Sequence, residues 1–154
     1  SFQKLSNGFR MVNRDNYLVD LIEPVPKNAE RSKPQRVTEA YGDLVAAEIR
    51  GLQWLVSGPK DSATAIDMRG LPVPMTCIDP RYYAIHKLWL SGLEDREPSK
   101  RHRDRAQALA VASLVAQHLP ALRFNDRTLE ALPRALREKA AELVASGASP
   151  SPEW

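Results

Sequence analysis

Short apolar runs separated by turn residues occupy the first part of the chain, and apolar positions at helical spacing dominate the second part. Residues 9–13 and 17–22 have the composition of strands, and the Arg-Asp-Asn sequence at 14–16 favours a turn, which together predict a β-hairpin. The prolines within 24–26 end its second strand. The polar, charged residues 27–36 predict an exposed loop.

The next part of the chain has a less regular pattern. Asp43 stands where a helix N-cap is expected, and the apolar residues of 44–56 recur at roughly helical spacing until Gly58 and Pro59, which predicts a helix. Gly51 weakens this prediction and leaves part of the segment open to an extended conformation. Two further segments have the composition of strands, 64–68 and 73–78.

Helical patterns follow Asp79. Asp79 and Pro80 are typical of an N-cap and a first helical residue, and we expect this helix to end at Gly92. The charged residues 94–105 lead into a second helix that ends near residue 120. A third runs over 126–145, where Pro133 should kink it or split it in two.

The pattern as a whole predicts a mixed α/β (α+β) fold. We expect a small N-terminal sheet, mixed or antiparallel, of about four strands within residues 1–78. A mainly helical bundle over 79–146 and a disordered tail at 147–154 would follow. If strands upstream of this sheet are absent, residues 9–13 form an exposed sheet edge, which could recruit another chain and form a homo-oligomer.

Composition fits one soluble globular domain, because 154 residues that are 43% hydrophobic and 27% charged can form a substantial core. A formal net charge of +3, spread along the chain, indicates a mild attraction to phosphates. The single cysteine, Cys77, excludes an internal disulfide and a CxxC motif, which fits a reducing cytoplasm. No apolar run approaches the ~20 residues that span a bilayer, so no membrane association is expected.

Asp20 is the first candidate for chemistry. On a strand it shares one face with Leu18 and Ile22, and an unpaired carboxylate among aliphatic side chains is costly. One explanation is structural, with Asp20 bonded to an arginine or to backbone N–H groups. The other is functional, with Asp20 as a ligand in a metal-dependent site.

Two polar constellations lie on the predicted helices. On the first helix Tyr82 precedes His86 and Tyr83 precedes Lys87 by one turn, so aromatic rings and cations could together hold a base and its phosphates. Ordinary helix-surface pairs explain the same spacing. The second helix carries a polar stripe that consists of Lys100, Arg103, Asp104 and Gln107. An ordinary solvated helix face would also explain this stripe.

The sequence lacks the motifs of several other classes of catalytic and binding site, which excludes those classes. The histidines do not form an HxxxH pair, and the sequence contains no GxSxG, Walker A or GxGxxG motif.

Three stretches resemble the latter part of a bacterial nucleotidyltransferase-fold family related to the minimal and abortive-infection nucleotidyltransferases. They are GFRMVNRDNYLVDLIEP, IRGLQWLVSGP and LPVPMTCIDPRYYAIHKLWLSGLEDREPSKRHRDRAQALAVASLV. The resemblance covers residues 8–119 and is sharpest at VDLI and over 73–107. It implies transfer of a nucleoside monophosphate from a nucleoside triphosphate to a hydroxyl acceptor, assisted by two Mg²⁺ or Mn²⁺ ions held by three acids.

The resemblance also implies roles for individual residues. Asp20 matches the third carboxylate, and is therefore the candidate catalytic and metal-binding residue. His86, Lys87, Lys100 and Asp104 match the helical region beside the nucleotide site, and are candidate nucleotide-binding residues.

One part of the family's pattern is absent. The residues before Asp20 contain neither the Gly-Ser nor the Asp-x-Asp or Asp-x-Glu pair, and the chain starts at Ser1 without a methionine. We therefore expect a piece of a longer enzyme that is inactive alone and holds no metal tightly. The alternative is a non-catalytic domain whose basic segments, 101–103 and 134–139, bind a nucleic acid or an acidic protein.

Overall fold

The computed structural model describes residues 2–6, 8–26, 36, 38 and 43–145. The chain divides into two compact units between Gln53 and Trp54. The loop predicted over 27–36, apart from Arg36, and the tail predicted at 147–154 lie outside the described residues. The domain boundary that the sequence predicts after residue 78 stays a prediction.

The first unit begins with an antiparallel sheet of three short strands: β1 (Phe2–Lys4), β2 (Arg10–Asn13) and β3 (Leu18–Asp20). The hairpin predicted from the sequence is β2–β3. Its turn forms because the Asn13 side chain accepts hydrogen bonds from the backbone N–H groups of Asp15 and Tyr17. The predicted exposed edge at residues 9–13 is wrong, because β2 lies between β1 and β3.

A parallel pair of strands follows in the same unit, β4 (Ile22–Pro24) and β5 (Ala47–Ile49). The helix predicted over 44–56 is correct only for its end, α1 (Leu52–Ser57). Pairing with a strand distant in sequence makes 47–49 extended, and Gly51, with φ +79°, provides the turn into α1. Asp43 caps no helix, since its carboxylate accepts from the backbone N–H groups of Thr38 and Leu44.

The second unit contains an antiparallel hairpin of β6 (Lys60–Ile66) and β7 (Pro72–Ile78). Both predicted strands are confirmed, although β6 begins at Lys60 rather than at Thr64. The turn is closed by Asp67, whose side chain accepts from the backbone N–H groups of Arg69 and Leu71. Residues 60–77 of the two strands are exposed.

The helices of the second unit follow the predicted order: α2 (Pro80–Ser91), α3 (Pro98–His118), a 3₁₀ helix (Arg127–Ala131) and α4 (Arg134–Ala145). The Asp79 side chain caps α2 at the N–H of Arg81, and Gly92 ends the helix, as predicted. Pro133 separates the 3₁₀ helix from α4, which confirms the predicted split.

The helices enclose the core of this unit. Its buried residues are Tyr82, Ala84, Ile85, Leu88, Ala108, Ala112, Leu129, Leu132, Leu136, Ala140 and Leu143. Trp54 and Trp89 pack against these residues, and their rings meet edge to face with centroids 5.0 Å apart. The mixed α+β class with helices toward the C-terminus is confirmed, but the described strands form three small sheets rather than one.

Candidate functional site

Asp20 lies at the end of β3, directly opposite Arg10 of β2. The two side chains form a bidentate pair, with Arg10 Nε 2.5 Å from Oδ1 and Arg10 Nη2 2.7 Å from Oδ2. The hydrogen bonds from Arg10 hold the pKa of Asp20 below its ordinary value, and Asp20 in turn raises the pKa of Arg10. The arginine partner foreseen in the structural explanation of Asp20 is therefore present, and its metal role stays a prediction.

The described residues do not fit a two-metal centre. Such a centre needs several carboxylates around the ions, and no group of three or more His, Cys, Asp or Glu side chains within the described ranges could hold a metal. Both Asp20 oxygens, moreover, accept hydrogen bonds from Arg10.

Asp104 is the centre of a second cluster, in the helical unit. It lies on α3 and is fully buried, although the sequence pattern predicts that it belongs to a polar stripe on the surface of this helix. Lys87 of α2 donates from Nζ to Oδ1 at 2.8 Å. Arg96, from the loop between α2 and α3, donates from Nε and Nη2 to Oδ2 at 2.9 and 2.7 Å.

The electrostatics of this cluster favour a charged acid. Burial raises the pKa of the Asp104 carboxyl, but the hydrogen bonds and charges of Lys87 and Arg96 outweigh that effect and lower the pKa overall. The two cations keep 19% and 29% of their side-chain surface exposed. The Lys87 ammonium also lies 5.6 Å from the centre of the Tyr83 ring, as the one-turn spacing predicts. One buried carboxylate thus holds two cations whose outer faces can meet an anion.

His86 and Lys100 have different surroundings. His86 is 4% exposed and packs among aromatic rings, with its centroid 6.4 Å from that of Trp54 and 5.9 Å from that of Trp89. Lys100 is exposed and pairs with Glu97 at 2.7 Å. Of the four candidate nucleotide-binding residues, the structure therefore brings Lys87 and Asp104 into contact.

Sequence reasoning missed Arg96. It lies within the charged run at 94–105, where no periodicity separates it from its neighbours, and only the turn after α2 carries it back to Asp104. The sequence pattern also gave no sign of the ion pair between Arg81 and Asp79, two side chains that are almost fully buried. Arg81 donates to the carbonyl oxygen of Arg123 as well, so this pair ties the start of α2 to the segment after α3.

Comparison with known proteins supports the nucleotidyltransferase part of the resemblance seen in the sequence. A family model described as nucleotidyltransferase matches residues 1–133. No curated protein matches significantly, and no solved structure does. Within the described part of the chain, no helix has the length and apolar character needed to cross a membrane.

Proposed function

Because the chain belongs to a nucleotidyltransferase family, we propose that it serves the transfer of a nucleoside monophosphate from a nucleoside triphosphate to a hydroxyl group. The structural observation that supports this proposal is the buried Asp104 with its two cations, Lys87 and Arg96. Cations that are held in place and remain partly exposed can donate charged hydrogen bonds to the phosphates of a triphosphate.

The reaction itself explains why such cations are useful. The acceptor oxygen attacks the α-phosphorus, the bond from that phosphorus to the bridging oxygen breaks, and pyrophosphate leaves with the electron pair while the hydroxyl proton passes to a base. Negative charge therefore grows on the leaving pyrophosphate. Donors held in place before the reaction stabilise that charge without having to reorganise. In our proposal Asp104 is a positioning residue, and Lys87 and Arg96 contact the phosphates.

Asp20 retains its proposed role as a metal-binding carboxylate, with Mg²⁺ or Mn²⁺ as the ion. This role requires further acids and displacement of Arg10, since the described residues assemble no metal site. The residues before Asp20 contain neither the Gly-Ser nor the paired acids of the family's pattern, so we expect these 154 residues alone to be inactive.

Calorimetric titration with ATP tests the phosphate-binding role. We expect Lys87→Gln combined with Arg96→Gln to weaken ATP binding about tenfold, because each substitution removes a charged donor. Arg69→Gln, in the exposed turn between β6 and β7, is the matched control and should leave the affinity unchanged. Lys100→Gln tests the predicted nucleotide role of Lys100 in the same series.

Two results would contradict the proposal. Equal ATP affinity of the Lys87/Arg96 variant and the wild type would remove these cations from the nucleotide site. Turnover of α-labelled ATP with Mg²⁺ by the 154-residue chain alone would overturn the expectation that it is inactive.

A further inference from the structure

A cavity of about 210 Å³ opens between three helices of the second unit. The end of α2 contributes Ser91 and Gly92 to its wall. The rest of the polar lining is basic and comes from α3 and α4: Arg101, His102, Arg105 and Lys139. The two basic segments that the sequence analysis singled out, 101–103 and 134–139, thus each contribute to one concave surface.

The positive charge of this cavity is only partly neutralised. Arg105 Nη1 lies 3.4 Å from Glu142 Oε1, and Lys139 Nζ lies 2.8 Å from Oε2 of the same carboxylate. Arg101 donates to the carbonyl oxygens of Glu94 and Arg96, and it forms no ion pair within the described residues. Arg105 and Lys139 therefore share one carboxylate, and within the described residues the charge of Arg101 is not paired with an acid.

Arg101 is also held in position before any ligand binds. Its two bonds to main-chain carbonyls fix the guanidinium at the loop between α2 and α3. Less side-chain entropy is then lost when an anion binds, which favours affinity. Arginine also offers its donors in a planar fork that matches two oxygens of one phosphate.

We propose that this cavity is a second anion site, separate from the Asp104 cluster, which binds the phosphate groups of an oligophosphate. The ligand is either free pyrophosphate or the phosphate chain of a nucleotide. The volume favours the phosphates alone, because sites for drug-sized ligands occupy ~300–1,000 Å³. The base and sugar of a nucleotide would lie outside the cavity.

An amide NMR titration of the 154-residue chain with pyrophosphate, in metal-free buffer, tests the proposal. We expect the Ser91, Gly92 and His102 amide signals to shift. Affinity should fall as salt rises. The variant carrying Arg105→Gln and Lys139→Gln should bind about tenfold more weakly, since two charged donors are lost. Arg134→Gln, on α4 but paired with Glu138 outside the cavity, should bind like the wild type.

Parallel titrations with ATP and adenosine distinguish the two sources of phosphate. Tighter binding of ATP than of pyrophosphate at these amides identifies a nucleotide, and equal binding identifies the free oligophosphate. Adenosine binding as tightly as ATP, or unchanged pyrophosphate affinity in the double variant, would overturn the proposal. A thermal unfolding curve of each variant checks that it is folded.

The outcome is independent of the proposed transferase function. The Lys87/Arg96 variant should keep its pyrophosphate-induced shifts at the cavity, because the cavity is lined by different side chains. Loss of those shifts in that variant would instead assign the anion to the Asp104 cluster.

Discussion

Lys87 Nζ lies 2.8 Å from Asp104 Oδ1, and the Asp104 side chain has no exposed surface. Arg96 occupies the other carboxylate oxygen. A buried carboxylate is stable only when its oxygens are paired, and here both are paired with cations that remain partly in solvent. The acid therefore fixes two cations, while the cations hold the acid in its charged form.

Substituting this acid should destabilise the second unit. Asp104→Asn keeps the volume but leaves Lys87 and Arg96 without a carboxylate, and we expect a loss of about 2–3 kcal/mol in the free energy of unfolding. Urea denaturation measures it. Glu138→Gln, which removes a surface pair with Arg134, is the control and should leave the midpoint unchanged. A similar midpoint for both variants would contradict the buried pairing.

The lowered pKa of Asp104 also predicts a dependence of stability on pH. The unfolded chain binds a proton at the ordinary carboxyl pKa of 3.8, whereas the folded state releases its proton at lower pH. The stabilisation is therefore present above the unfolded pKa and is lost as the pH falls through the folded pKa. Between about pH 5 and pH 2 the wild type should lose stability more steeply than Asp104→Asn. Parallel curves in acid denaturation would exclude the effect.

Gly58 occupies a position where a side chain has no space. A Cβ atom there would lie 2.8 Å from Tyr82 Cδ1 and 2.9 Å from the carbonyl oxygen of Trp54. Because Tyr82 is buried and the second contact is backbone, Gly58→Ala should cost about 1–3 kcal/mol. At Gly92 the nearest atom would be 3.5 Å away, so Gly92→Ala is the matched control. Thermal unfolding measures both, and equal melting temperatures would contradict the packing.

The elements predicted correctly are those determined by local chemistry. Asp79 and Pro80 begin α2, the Asn13 side chain shapes the β2–β3 turn, and Pro133 divides a helix, each through contacts within a few residues. The helix predicted over 44–56 fails for the opposite reason. Residues 47–49 are extended because they pair with β4, and no local pattern records that pairing.

In the candidate site, too, the sequence predicts local features but not contacts between residues that are distant in the chain. The sequence identified Lys87 and Asp104 but not their contact, because Lys87 lies 17 residues from Asp104 and Arg96 lies 8 residues away. The periodicity of the sequence places Asp104 on the polar face of α3. The same periodicity cannot show that α2 covers that face. The burial of this acid is therefore a tertiary property.

The Arg10–Asp20 pair allows a direct measurement of what lowers the pKa of Asp20. Hydrogen bonds from Arg10 are the main cause, partial burial opposes them, and the charge of Arg10 assists them. In Arg10→Met only the effect of burial remains, so the pKa of Asp20 should rise to its ordinary value of 3.8 or above. Carboxyl NMR titration measures the shift. Arg14→Met, in the exposed turn, is the control and should leave that pKa unchanged. An unaltered pKa in Arg10→Met would mean that Arg10 does not hold Asp20 in solution, and the carboxylate would then be available to another cation.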